Sequence, residues 1–270
     1  MLTAAAVAGA LATFSPVVVH DSREQSPLTA VASASVEAPG RSADRQPTVY
    51  ARAASAGDDG MWLQYWFFYA RQDQDRGILR TGRHAGDWEM VQYRLDGTGR
   101  PAEAVYAQHA GAERAPWSAV ELRGGHPVVY VARGSHGSYL RAGVRDRMWP
   151  DPNDEADGRG RVVRPRIVRV TANAPAWMHW PGRWGAARAR WWVPGEQDSP
   201  RGPAFQSDRW DDPEGWADDA REYRAECDAV DTCDGGEVAL GIAGIVSSTV
   251  TLGLAWLRRR RRRQPARGNY

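Results

Sequence analysis

The chain contains no lysine: all 35 of its basic residues are arginine. Phenylalanine is scarce at 4 residues, and there are 2 cysteines, Cys227 and Cys233. Two thiols cannot staple a small scaffold, so the fold has to rest on its core, and 270 residues are enough to bury one. Whether Cys227 and Cys233 pair is left open by their spacing. There is no phosphate-cradling GxxxxGK[ST], no HExxH and no GxSxG, and no internal repeat. Ser135 and His136 are adjacent, which is not the layout of a nucleophile elbow.

The formal net charge of +2 hides a division. Seven positives, Arg258 to Arg263 and Arg267, lie in residues 258–270, which hold no acid, so residues 1–257 carry −5. A mildly acidic body lacks the basic footprint of nucleic-acid binding, and no nucleic-acid partner is expected. Residues 238–257, VALGIAGIVSSTVTLGLAWL, carry no charge. Twenty helical residues span about 30 Å, the hydrocarbon thickness of a bilayer. With acids on one side and six arginines on the other, the positive-inside rule predicts a single-pass cell-membrane helix. It places the N-terminal domain outside and the tail in the cytoplasm. Residues 1–14 form an apolar leader, read as a truncated export signal, and 228–237 an acidic linker.

Tryptophan, by contrast, is abundant at 13 residues. Residues 15–227 read as many short strands: Ser15–Val19, Thr48–Ala51, Trp62–Tyr69, Trp88–Leu95, Ala104–Gln108, Ala119–Leu122, Pro127–Ala132 and Arg161–Thr171. One late helix is expected from the Asp211/Asp212 cap and Pro213 to about Glu226. Strands at close spacing with few helices predict an antiparallel β-sandwich.

The densest chemistry is Arg83-His84-Ala85-Gly86-Asp87-Trp88-Glu89. On a strand, Asp87 and Glu89 share one face while Trp88 points to the other, and His84 arrives from the preceding loop. Two hard carboxylates and an imidazole suit a divalent cation, Mg²⁺, Ca²⁺ or Mn²⁺. Asp73 or Asp75 adds a ligand from the loop before, and Gln108, His109, His126, Ser135 and His136 flank neighbouring strands as pocket residues. Carboxylates at i and i+2 equally suit a solvated strand face, and Asp151 to Gly158 reads as a solvated acidic loop. A bound cation implies a binding module or, alternatively, a metal-dependent hydrolase with His109 or His136 as the acid or base. A structural surface domain without metal is the third reading.

Together these segments resemble the vacuolar protein sorting-associated protein 62 family. The matching residues are Pro16 to His20 with Glu24 and Pro27, Leu63 to Tyr69, Gly86 to Gln92, Tyr106 to His109, His126 to Ala132, Gly134 to His136, and Gly182 to Gly185. The likeness covers residues 15–216. A more distant one is to the necrosis-inducing proteins, whose Gly-His-Arg-His-Asp-Trp-Glu signature sits on a β-sandwich. That resemblance implies a divalent ion near His84, Asp87 and Glu89, and a membrane-directed role in which a polar lipid headgroup or glycan is bound. Gly86 replaces the signature's second histidine, and Ala85 stands where the sorting family usually has Glu.

Overall fold

The computed structural model describes residues 3–31, 46–57, 59–74, 82–147, 152–185, 187 and 197–224. Backbone contacts divide the chain into Met1–Asp231 and Thr232–Tyr270, and the fold described is that of the first unit. Cys227, Cys233, the linker, the apolar stretch 238–257 and the arginine tail all lie outside the described residues. Among the described residues no helix is long and apolar enough to cross a membrane.

The fold is mainly β. Its strands are β1 (Val17–His20), β2 (Thr48–Ser55), β3 (Met61–Gln72), β4 (His84–Leu95), β5 (Pro101–Gln108), β6 (Gly111–Pro116) and β7 (Leu122–Arg123). They continue as β8 (His126–Val131), β9 (Ser138–Tyr139), β10 (Gly143–Arg145), β11 (Asp154–Ala156), β12 (Val162–Val163), β13 (Arg166–Arg169) and β14 (Arg221–Glu222). A seven-stranded sheet runs β13-β2-β3-β4-β5-β6-β14, and a second runs β12-β1-β8-β7 with β9 on β8. The expectation of a mainly β fold with few helices is met, and the two sheets share one core cluster, but the pairing is not purely antiparallel. β1 pairs with β8, β13 with β2 and β14 with β6 in parallel.

β3 shows why its sequence lacks polar alternation. Leu63, Tyr65, Phe67 and Tyr69 face the second sheet and pack with Val18, Val129 and Val131. Trp62, Trp66 and Phe68 face the other way and pack with Trp88, Met178, Trp184 and Trp216. A strand buried on both faces has no solvent side to mark with polar residues. The layer over that outer face is built from loops and two short helices, α2 (Asp208–Asp211) and α3 (Pro213–Asp218). Two buried glutamines pin it down: Gln64 donates to Gln92 and to the Arg209 carbonyl, and Gln92 donates to the Pro213 carbonyl.

Three expected elements differ. The stretch 161–171 is two strands: Pro165, which has no N–H for a ladder, separates β12 on one sheet from β13 on the other. Of the expected strand Ala119–Leu122 only Leu122 is extended in β7, and Ala119 closes a 3₁₀ turn, Trp117–Ala119, that follows Pro116. The late helix keeps its Asp212 cap on the Gly215 N–H but ends at Asp218, because Arg221 and Glu222 are taken up by β6. In the apolar leader, Ala4–Thr13 forms a helix whose Leu11 is in the core and whose Leu11 carbonyl accepts from the Tyr65 hydroxyl.

Candidate functional site

The gap between the two sheets is apolar along most of its length and polar at one end. Odd positions of β4 face this gap: Val91, Tyr93 and Leu95 are core, whereas Asp87 and Glu89 on the same face are carboxylates, each 5% exposed. They start the strand where Gly86, with φ +64°, lies against the Trp184 segment. A Cβ at Gly86 would stand 2.5 Å from the Trp184 carbonyl oxygen, so no histidine fits there.

His136, expected as a pocket-lining residue, is fully buried. Its Nδ1 lies 2.8 Å from Asp87 Oδ2 and its Nε2 3.6 Å from Glu24 Oε1, an ion-pair distance rather than a hydrogen bond. The ring stacks on Tyr69 with centroids 3.9 Å apart and planes within 1°. Burial by itself lowers the affinity of His136 for its proton. The hydrogen bond to Asp87 and the flanking charges of Asp87 and Glu24 overcome this and hold the imidazolium up to about 9. Burial by itself would push the Glu24 carboxyl up. The His136 charge, with N–H donors from Gly134 and Ser26, brings it down to about 2. Two acids thus sandwich one buried cation.

Glu89 is different. Its Oε2 is buried without a hydrogen-bond partner. Burial first, then the Asp87 charge, push its carboxyl well above the usual range, against the pull of Arg209 and His136. Tyr69 is held as a neutral phenol by burial and by the Glu89, Glu24 and Asp87 charges.

A second knot adjoins it. Asp154, from the stretch expected to be a solvated acidic loop, is 1% exposed. It accepts from Ser135 Oγ at 2.5 Å and Tyr139 OH at 2.6 Å, and His109 Nε2 lies 2.5 Å away. Burial would raise its pKa, and these three partners lower it instead. His109 sits in the tight β5–β6 turn at φ 56°, and its carbonyl accepts from Arg209. Gln108, beside it, donates to the Ser138 carbonyl and contacts Glu113.

The other sequence-predicted residues lie apart. His84 pairs opposite Gln72 in the β3–β4 ladder, and its Nδ1 contacts the Gly86 carbonyl at 2.9 Å. Asp73 is bound by Arg71, with Arg83 at 4.0 Å, and Asp75 is outside the described residues. His126, at the opposite end of β8 from the His136 loop, contacts Ser15. Among the described residues no three His, Cys, Asp or Glu side chains form a ready metal cage. Asp87 and Glu89 are hard carboxylate donors on one buried face; His84 does not join them. Glu24, Tyr69, Asp154 and Arg209 were missed as site residues. Glu24 and Tyr69 left a trace in the sequence, as parts of the family-like segments Pro16 to Pro27 and Leu63 to Tyr69.

No protein-family model matches the chain and no curated protein does. The likeness to the sorting-protein family therefore rests on its motifs alone. Among solved structures the chain is similar to NLPPya in complex with glucosamine, at 18% identity over 62% of this chain and 74% of that one, TM-score 0.40. NLPPya in complex with mannosamine overlaps equally at 0.41, and the non-toxic HaNLP3 protein at 15% identity, 60% and 73% coverage and 0.38. These neighbours are of the necrosis-inducing kind, at an overlap that assigns neither site nor ligand.

Proposed function

We propose that the polar end of the sandwich is a cation-assisted binding site for a polyhydroxyl or amino-sugar ligand. The observation that carries this reading is the Glu89 carboxyl, buried with an unpartnered oxygen between the Asp87 and Asp154 charges. An acid there is neutralised in one of two ways, by a proton or by a cation, and natural folds seldom keep such a group for stability. Asp87 and Glu89 would hold a hard divalent ion such as Ca²⁺, Mg²⁺ or Mn²⁺, which supplies positive charge for sugar hydroxyls. His109 and Gln108, at the half-exposed hairpin end, would orient the ligand. In this proposal the module is held at a membrane by residues 238–257, with the domain outside.

A second reading is favoured by one observation. Asp154 fixes one nitrogen of His109, which is 23% exposed at its side chain, as a carboxylate fixes a general base. A hydrolase would use His109 in that role.

Calorimetric titration of the purified chain with Ca²⁺, Mg²⁺ and Mn²⁺, then with glucosamine, tests both. Saturable cation binding lost in Asp87→Asn and Glu89→Gln, with sugar binding that requires the ion, supports the module. Cation and sugar heats that are absent from the folded wild type would sink it and leave a structural network.

A further inference from the structure

A different surface of the domain points outward with unbalanced charge. The chain from Arg161 to Arg169 passes from β12, the edge of the second sheet, to β13, the edge of the seven-stranded sheet. Arg161, Arg164, Arg166 and Arg169 are all exposed along it. Among the described residues none of the four has an acidic partner. Residues 158–195 contain no Asp or Glu at all, in a body whose formal charge is negative. Several other arginines of this domain are paired with acids, as Arg114 is with Glu103 and Asp218, and Arg23 with Asp21 and Glu155.

Charges on an edge strand also keep foreign strands away. Two apolar features beside the arginines call for more than that. Val162, between Arg161 and the buried Val163, is 52% exposed. The helix Ala4–Thr13 (α1) is tied to this edge by Arg169, whose Nη1 lies 3.4 Å from the Ala4 carbonyl. That helix packs Leu11, Val7 and Ala10 on the core and turns alanine and glycine, with no charged residue, to the outside. A soluble polyanion would satisfy the guanidinium groups and leave this apolar flank in water. A bilayer interface offers phosphates and an apolar layer at adjacent depths, which matches both.

We infer that this arginine edge, with α1 beside it, is a docking surface for an anionic lipid bilayer. The phosphates pair with Arg161, Arg164, Arg166 and Arg169, while Val162 and the outer side of α1 enter the headgroup boundary. The surface is separate from the polar end of the sandwich, and it stands whether or not that end binds a sugar.

The test is backbone hydrogen exchange of the full chain in vesicles of phosphatidylcholine alone and with about 30% phosphatidylglycerol. Because the full chain is present in both, any association through residues 238–257 is common to the two samples. Exchange of residues 4–13 and 159–169 is expected to slow with phosphatidylglycerol, with the effect shrinking about fivefold for each arginine replaced by glutamine and vanishing at high salt. Equal exchange in the two vesicles overturns the inference. So does slowing that survives in Arg161→Gln/Arg164→Gln/Arg166→Gln/Arg169→Gln, or protection by dextran sulfate with none by vesicles. The salt dependence of the wild type and the single variant Arg166→Gln decide the matter if the quadruple variant does not fold.

Discussion

Phe67 and Glu89 are partners in the β3–β4 ladder, and both face the gap between the sheets. On the Tyr93 side of that pair the gap is filled by Leu63, Tyr65, Val91 and Leu95; on the Asp87 side it holds a buried imidazolium, four carboxyls and a phenol. The two halves share β3 and β4, and their side chains are buried in both. Only the apolar half is explained by stability, since burying hydrocarbon is favourable and burying charge is costly. The polar half carries that cost, and the proposed binding role is one reason a fold would retain it.

The comparison breaks most visibly from the apolar side. Phe67→Ala should cost about 4 kcal/mol in denaturant unfolding, because it opens a cavity in the fully buried apolar core. Next comes His136→Ala, at about 3 kcal/mol, since it strands Asp87 and Glu24 as buried charges. The same pair sets the pH response in metal-free buffer. His136 titrates at about 9 when folded against 6.5 for the model group, so its contribution is complete below 6.5 and is lost as pH rises through 9. Glu24, at about 2 against 4.5, contributes above 4.5 and loses that contribution as pH falls towards 2. A melting-temperature maximum between about 4.5 and 6.5 is expected. A flat profile from 6 to 9 would remove the buried imidazolium from the account.

Glu89→Gln sharpens the contrast in the opposite direction. Removing an unpartnered acid should stabilise the domain by about 1–2 kcal/mol while abolishing cation binding. A variant that is destabilised instead would make Glu89 a structural tie. The smallest effect is Asp212→Ala, at about 1 kcal/mol, the loss of one helix cap far from the gap.

The two halves also differed in how far they could be read from the sequence. Dense aromatic runs such as Trp62–Tyr69 announce a doubly buried strand, and the Asp-x-Glu spacing put Asp87 and Glu89 correctly on one face opposite Trp88. Pairing direction was not legible, because parallel contacts such as β1–β8 join residues more than a hundred positions apart. The polar cluster was half visible for the same reason. Asp154 lay in a Pro- and Asp-rich stretch whose composition says solvent, yet β10–β11 pairing carries it inward to Ser135, His109 and Tyr139. His84 was grouped with Asp87 by nearness along the chain, whereas in the ladder it pairs with Gln72 and leans on the Gly86 backbone.

β14 is the last described strand, and it is short: two residue pairs join it to β6, beside the Tyr223 N–H to the Arg114 carbonyl and the Arg221 contacts with Glu113 and Gln108. Mechanical force applied to the chain beyond residue 224 would meet this short clip before any other described strand. Peeling it away would leave the sheet intact but uncover the rim of β6. Tension would then turn a closed border of the seven-stranded sheet into an open one, ready to accept a strand from a neighbour.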